Sequence, residues 1–118
     1  MNRTVVIVDD HAGFRRSARR LLEADGFVVV GEASDGASAL AEVRARRPEL
    51  VLLDVLLPDT DGFAVAEALA REPSRPLVVL TSSRDAADLA TRLERSAADG
   101  FLPKSELSGR ALAALIDA

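Results

Sequence analysis

Two apolar runs of this chain end in carboxylates: Val5-Val6-Ile7-Val8 runs into Asp9-Asp10, and Leu50-Val51-Leu52-Leu53 into Asp54. Two more end in other polar groups, Leu77–Leu80 in Thr81 with Ser82 and Ser83 behind it, and Phe101-Leu102-Pro103 in Lys104. If the three carboxylates meet, their repulsion is large, because like charges ~4 Å apart cost on the order of 4 kcal/mol at an effective dielectric of about 20. A cation would relieve it. Oxygen donors without thiolates select a hard ion, and an incomplete set of carboxylates completed by water and phosphate suits Mg²⁺. A hydroxyl and an ammonium beside such a cluster would serve the remaining oxygens of a phosphoryl group, whose transfer depends on positioning and charge neutralisation.

Those residues act together only if the fold gathers them. The apolar runs Val5–Val8, Phe27–Val30, Leu50–Leu53, Leu77–Leu80 and Phe101–Leu102 are short and show little polar alternation, as strands buried on both faces of a parallel sheet do. Between them lie stretches of helical period. Their predicted apolar faces are Phe14, Ala18, Leu21 and Leu22; Ala37, Leu40, Ala41 and Ala45; Phe63, Ala66, Leu69 and Ala70; Ala86, Leu89, Ala90 and Leu93; and Leu107, Ala111, Leu112 and Leu115. Gly26, Arg47-Pro48, Pro73, Pro76 and Gly100 punctuate the boundaries, and Asp35 and Ser105 are expected to cap the second and fifth helices.

Five β-α units predict a three-layer α/β/α sandwich. In such sheets ligands bind beyond the carboxyl ends of the strands, where the strand order reverses. With the flavodoxin-like order 2-1-3-4-5, the first and third strands are neighbours there. Asp9, Asp10 and Asp54 would then share one pocket, with Thr81 and Lys104 on the same edge.

Composition removes competing chemistries. The chain has 118 residues, no cysteine, one histidine, no Trp or Tyr, and a net charge of −4. That length fits one domain with a real core. Disulfides, thiolate sites and cysteine nucleophiles are excluded, and net acidity argues against direct nucleic-acid binding. No apolar stretch is long enough for a signal peptide or membrane span, so the expected compartment is the cytoplasm. Of the 15 basic side chains, all but Lys104 are arginine. Four of them, Arg15, Arg16, Arg19 and Arg20, form a stripe opposite the apolar face of the first helix, expected as a solvated face.

The ordered set Val8-Asp9-Asp10, Leu53-Asp54-Val55-Leu56-Leu57-Pro58, Asp61-Gly62, Thr81 and Lys104 resembles the receiver domain of bacterial two-component response regulators over essentially the whole chain. The resemblance implies a (βα)5 flavodoxin-like fold and a single receiver domain over residues 1–118, with no output domain in this chain. Asp54 would be the phosphoacceptor for a histidine kinase or histidine phosphotransfer domain. Asp10 would ligate Mg²⁺ directly and Asp9 mainly through water, with Asp54 and the backbone carbonyl of Leu56 completing the set. Thr81 would bond a phosphoryl oxygen, Ser82 being the alternative hydroxyl, and Lys104 would pair with another. Phe101 would turn inward on activation. The first helix would dock the kinase, and the face of the fourth helix, fifth strand and fifth helix would bind an output partner or a second copy.

The protein would catalyse its own phosphorylation and dephosphorylation without being a turnover enzyme. Leu56, two residues after the acceptor, brings no polar side chain to orient a hydrolytic water. The rival readings are a receiver-fold binding module that works without phosphorylation and a Mg²⁺-dependent phosphatase. Asp59-Thr60-Asp61-Gly62 resembles a haloacid-dehalogenase motif but lacks the buried strand end that motif needs. His11 is expected in a loop or first turn and not as a phosphate carrier.

Overall fold

The structure, a computed structural model, describes residues 3–84 and 86–117. Strands β1 (Thr4–Val8), β2 (Val28–Ala33), β3 (Leu50–Asp54), β4 (Leu77–Ser82) and β5 (Gly100–Pro103) alternate with helices α1 (Ala12–Ala24), α2 (Gly36–Arg46), α3 (Gly62–Ala70), α4 (Ala86–Glu94) and α5 (Gly109–Ile116). The strands form one parallel sheet in the order β2-β1-β3-β4-β5. The order reverses between β1 and β3, as the sequence reading required.

The apolar runs became strands because both faces of the sheet are covered. Val6, Val8, Val51, Leu53, Val78 and Leu80 pack towards α2, α3 and α4 through Ala39, Val43, Phe63, Val65, Ala66, Leu69 and Leu89. Val5, Ile7, Leu50, Leu52 and Val79 pack on the other side with Ala18 and Leu22 of α1 and Leu112 of α5. Alternate residues of one strand therefore serve opposite cores, which leaves no solvent-facing position within Val5–Val8 or Leu50–Leu53 to be polar. Among the described residues, no helix is long and apolar enough to cross a membrane.

Several local expectations are corrected. Helix α2 buries Gly36, Ala39 and Val43 and not the Ala37, Ala41 and Ala45 face, with Leu40 half-buried at the margin. Alanine stands on both sides of this helix, so its larger Val43 decides which side seeks the sheet. Ser105 lies inside a 3₁₀ turn, Lys104–Glu106, and the α5 cap is Ser108, whose side chain accepts from the Ala111 amide at 3.0 Å. Leu107 is buried ahead of that cap. Leu21 (44% exposed) and Leu115 (37%) face outward, and Ala90 is exposed. The Ala86 side chain lies outside the described residues. Asp35 does cap α2, exchanging a reciprocal pair of hydrogen bonds with Ser38.

The basic stripe is divided. Arg15 and Arg19 turn back onto Glu32 of β2, while Arg16 and Arg20 stay exposed.

Candidate functional site

Strand β1 delivers Asp9 immediately beyond its last paired residue, and β3 ends on Asp54, in register with Thr81 of β4. Asp9 is fully buried and Asp54 is 4% exposed, whereas the Asp10 side chain reaches solvent. Asp9, Asp10, His11 and Asp54 each place one ligand atom within 4.8 Å of the others. From the sequence His11 is expected in a loop or first turn, with no part in the acidic cluster it joins here. It precedes α1 at the cap position, and its Nδ1 lies 3.1 Å from Asp9 Oδ1 and 3.0 Å from Asp10 Oδ1. Its adjacency to the acidic pair was the available signal.

Lys104, just after β5, reaches into the cluster. Its Nζ is 2.7 Å from Asp9 Oδ2 and 3.2 Å from Asp54 Oδ2, and it sits 4.5 Å from the centre of the Phe14 ring. Burial works against charge on all three groups, and the outcome differs among them. For Asp54, burial and then the Asp9 charge push the carboxyl above its usual range, against the Leu56 amide and Lys104. For Asp9, burial is outweighed by Lys104 and the His11 amide, so its carboxyl lies below that range. Burial likewise opposes the Lys104 ammonium, but the two carboxylates together hold its pKa up. Two adjoining carboxylates whose proton affinities are driven apart form a site with unequal partners.

Thr81 and Ser82 differ in their hydrogen bonding. Thr81 is fully buried, and its Oγ1 has no hydrogen-bond partner among the described residues. Ser82 Oγ accepts from the Arg84 amide at 3.0 Å. Thr81 thus carries a buried hydroxyl with no partner among the described residues, while Ser82 keeps its own proton to donate. Phe101 is half-buried against the core on the α2–α4 side.

The loop from β3 to α3 is built to hold Asp54. The Leu56 amide donates to Asp54 Oδ1 at 3.2 Å while the Leu56 side chain is 76% exposed. Gly62 donates to the Val55 carbonyl at 2.7 Å, and a Cβ there would lie 2.4 Å from the Asp54 carbonyl oxygen. Only glycine permits that approach. The discounted Asp59–Gly62 motif is scaffolding: Asp59 accepts from the Gly36 and Ala37 amides at the start of α2, and Asp61 accepts from Ala64 at the start of α3. Asp61 also meets Arg92 of α4 at 3.0 Å.

The acidic donor set fits a hard divalent cation. Three carboxylates converge from two strand ends, one with raised proton affinity, and a single ammonium offsets only part of their charge.

The family model described as "Response regulator receiver domain" matches residues 5–116. The DNA-binding response regulator MtrA of Mycobacterium leprae is 38% identical over 106 residues, covering 88% of this chain and 45% of that protein. The protein-glutamate methylesterase/protein-glutamine glutaminase 6 of Anaeromyxobacter dehalogenans is 41% identical over 108 residues, covering 91% of this chain and 31% of that protein. The chain thus spans half or less of the length of the curated relatives it matches. Among solved structures, the signal receiver domain of the response regulator NarL from Mycobacterium tuberculosis superposes with a TM-score of 0.84 at 35% identity, covering 99% of this chain and 98% of that one.

Proposed function

The chain belongs to the response regulator receiver domain family, and from that premise we propose that it is a phosphorylation switch with Asp54 as its acceptor. The observation that carries the proposal is the Lys104 ammonium seated between Asp9 and Asp54, with the unpartnered Thr81 hydroxyl in register on the next strand.

In the proposed reaction an Asp54 carboxylate oxygen attacks the phosphorus of a phosphohistidine carried by a histidine kinase or phosphotransfer domain. The P–O bond forms as the P–N bond breaks, and the electron pair leaves on the imidazole nitrogen, yielding an acyl phosphate and a free imidazole. Asp10, Asp54, Asp9 and the Leu56 carbonyl would hold Mg²⁺, which when bound supplies neutralisation of the phosphoryl charge. Lys104 exchanges its carboxylate partners for a phosphoryl oxygen, and Thr81 donates its hydrogen to another. The Leu56 amide keeps Asp54 aimed.

Phe101 follows Thr81 inward, and the face of α4, β5 and α5 changes its affinity for an output partner or a second copy. Such a shift needs only a few kcal/mol of difference between two states. Residues 1–118 act as one receiver unit in the cytoplasm. The unit is not a turnover enzyme, and it binds neither nucleic acid nor membrane directly.

Intact-mass analysis after incubation with Mg²⁺ and a small acyl phosphate tests the assignment. One phosphoryl adduct is expected, absent from Asp54→Asn and absent in chelator. No adduct in the parent chain, or an undiminished adduct in Asp54→Asn, overturns it.

A further inference from the structure

Arg15 belongs to the stripe that the sequence assigned to solvent, yet its side chain is only 19% exposed. Its Nε donates to Glu32 Oε1 at 3.0 Å, and one terminal nitrogen donates to the Asp9 backbone carbonyl at 2.6 Å. Glu32 takes a second guanidinium on its other oxygen, from Arg19 at 2.6 Å, and Arg19 continues to the Val29 carbonyl at 3.1 Å. Glu32 of β2 is thereby gripped from two successive turns of α1, and it fixes the direction in which Arg15 points.

The carbonyl that Arg15 reaches lies where the strand ladder stops. β1 ends at Val8, and the Asp9 amide still bonds the Ala33 carbonyl of β2 at 3.0 Å. The Asp9 carbonyl shares one rigid planar unit with the Asp10 amide. Holding that oxygen fixes the plane from which Asp10 projects. Groups one step outside a metal's ligands orient those ligands, and their loss typically costs about 10–100-fold in metal affinity.

We propose that Arg15, locked by Glu32, is a positioning residue that holds the Asp9–Asp10 peptide in the orientation the divalent-cation site requires. This rests on the Mg²⁺ reading given above. Charge alone predicts the opposite sign, since a guanidinium on the Asp9 carbonyl repels a cation entering the adjacent site and its removal would tighten binding. The direction of the effect therefore separates positioning from electrostatics.

The experiment is calorimetric titration of Mg²⁺ into the full chain after chelator treatment. It compares the parent with Arg15→Ala, Arg15→Lys, Glu32→Gln and Arg16→Ala. Arg15→Ala is expected to weaken Mg²⁺ binding about tenfold, equivalent to about 1.4 kcal/mol. Glu32→Gln should weaken it less, because Arg15 keeps the carbonyl but loses its charged anchor. Arg15→Lys should recover part of the loss, since one ammonium cannot serve both acceptors in that geometry. Arg16→Ala removes the same charge from the exposed face and should leave affinity unchanged. Unchanged or tighter binding in Arg15→Ala overturns the proposal, as does equal weakening in Arg16→Ala. Should far-UV circular dichroism show Arg15→Ala unfolded, Arg15→Lys decides, because it keeps the charge and loses the two-acceptor geometry: weaker Mg²⁺ binding supports positioning, and unchanged or tighter binding overturns it. A parent chain that binds no Mg²⁺ sinks the metal reading, and this inference with it, before any variant is compared.

Discussion

Replacing Thr81 with valine should strengthen the fold and weaken the switch. Valine keeps the branched shape and exchanges only a hydroxyl for a methyl, so the strand and its packing are preserved. Thr81 is fully buried and its Oγ1 is unpartnered. An unsatisfied buried hydroxyl costs about 1–3 kcal/mol, and removing it returns much of that. The expected gain is about 1–2 kcal/mol without Mg²⁺ or phosphoryl donor, or roughly 3–5 °C in Tm per kcal/mol for a chain of this size. With no Trp or Tyr in the chain, urea unfolding is best followed by far-UV circular dichroism, and the midpoint should rise at constant slope. In Mg²⁺ with beryllium fluoride as a phosphoryl mimic, the parent should gain stability by mass action. The variant should gain less, by the worth of one hydrogen bond to a charged group, about 1.5–3 kcal/mol. A less stable apo variant would refute the claim that the hydroxyl is orphaned. A more stable variant that keeps the full ligand-induced gain would show that Thr81 does not face the phosphoryl group.

Three other outcomes follow from the same geometry. Asp54→Asn should stabilise the apo protein at neutral pH, because the parent's Asp54 is pushed above its usual range by burial and then by Asp9. A carboxyl with raised folded pKa contributes stability that is complete below the ordinary value and lost as pH rises, so the Asn variant's advantage should shrink on acidification; urea midpoints across about pH 4 to 8 check this, and a constant or inverted difference refutes it. Lys104→Arg should fold normally but lose about 1 kcal/mol or more of the beryllium-fluoride-induced stabilisation, since a compact ammonium already touches Asp9, Asp54 and the Phe14 ring and a broader guanidinium, gripping the carboxylates bidentately, would release them less readily to a phosphoryl oxygen; full stabilisation in that variant would refute the fit argument. Gly62→Ala should lower stability by about 1–3 kcal/mol, because its Cβ would meet backbone atoms of Asp54 and Val55 that cannot rotate away, and an unchanged urea midpoint would show that the loop relaxes freely.

The site was legible because a parallel sheet turns one-dimensional order into position. Each buried strand reads as an apolar run, and the first polar residue after it lands on the same edge as the others. Asp9, Asp54, Thr81 and Lys104 all follow that rule. The failures share a different cause, which is dependence on a partner distant in sequence or on a choice between similar residues. Arg15 and Arg19 looked solvated because their anchor, Glu32, stands on another strand. The α2 face was misassigned because alanines at 37, 39, 41 and 45 give the period no contrast. Ser105 and Ser108 are both plausible caps, and only the 3₁₀ turn after β5 selects the second.

The contrast between the pocket and its frame bears on the proposed mechanism. Around the site the loops are tightly satisfied: Asp59 and Asp35 serve α2, Asp61 serves α3, and Arg15 ties the Asp9 carbonyl to β2 through Glu32. Inside it, Asp54 is held at a raised pKa, one ammonium is divided between two carboxylates, and the Thr81 hydroxyl has no partner. Each unsettled group is one that a divalent cation or a phosphoryl oxygen would satisfy. A ligand shifts a conformational equilibrium only by its differential affinity for the two states. A pocket whose polar groups were already satisfied would offer little such difference. On the proposed mechanism the stability forgone at Asp54 and Thr81 would be the source of the switching free energy, and a tightly bonded frame would keep that deficit from being relaxed locally.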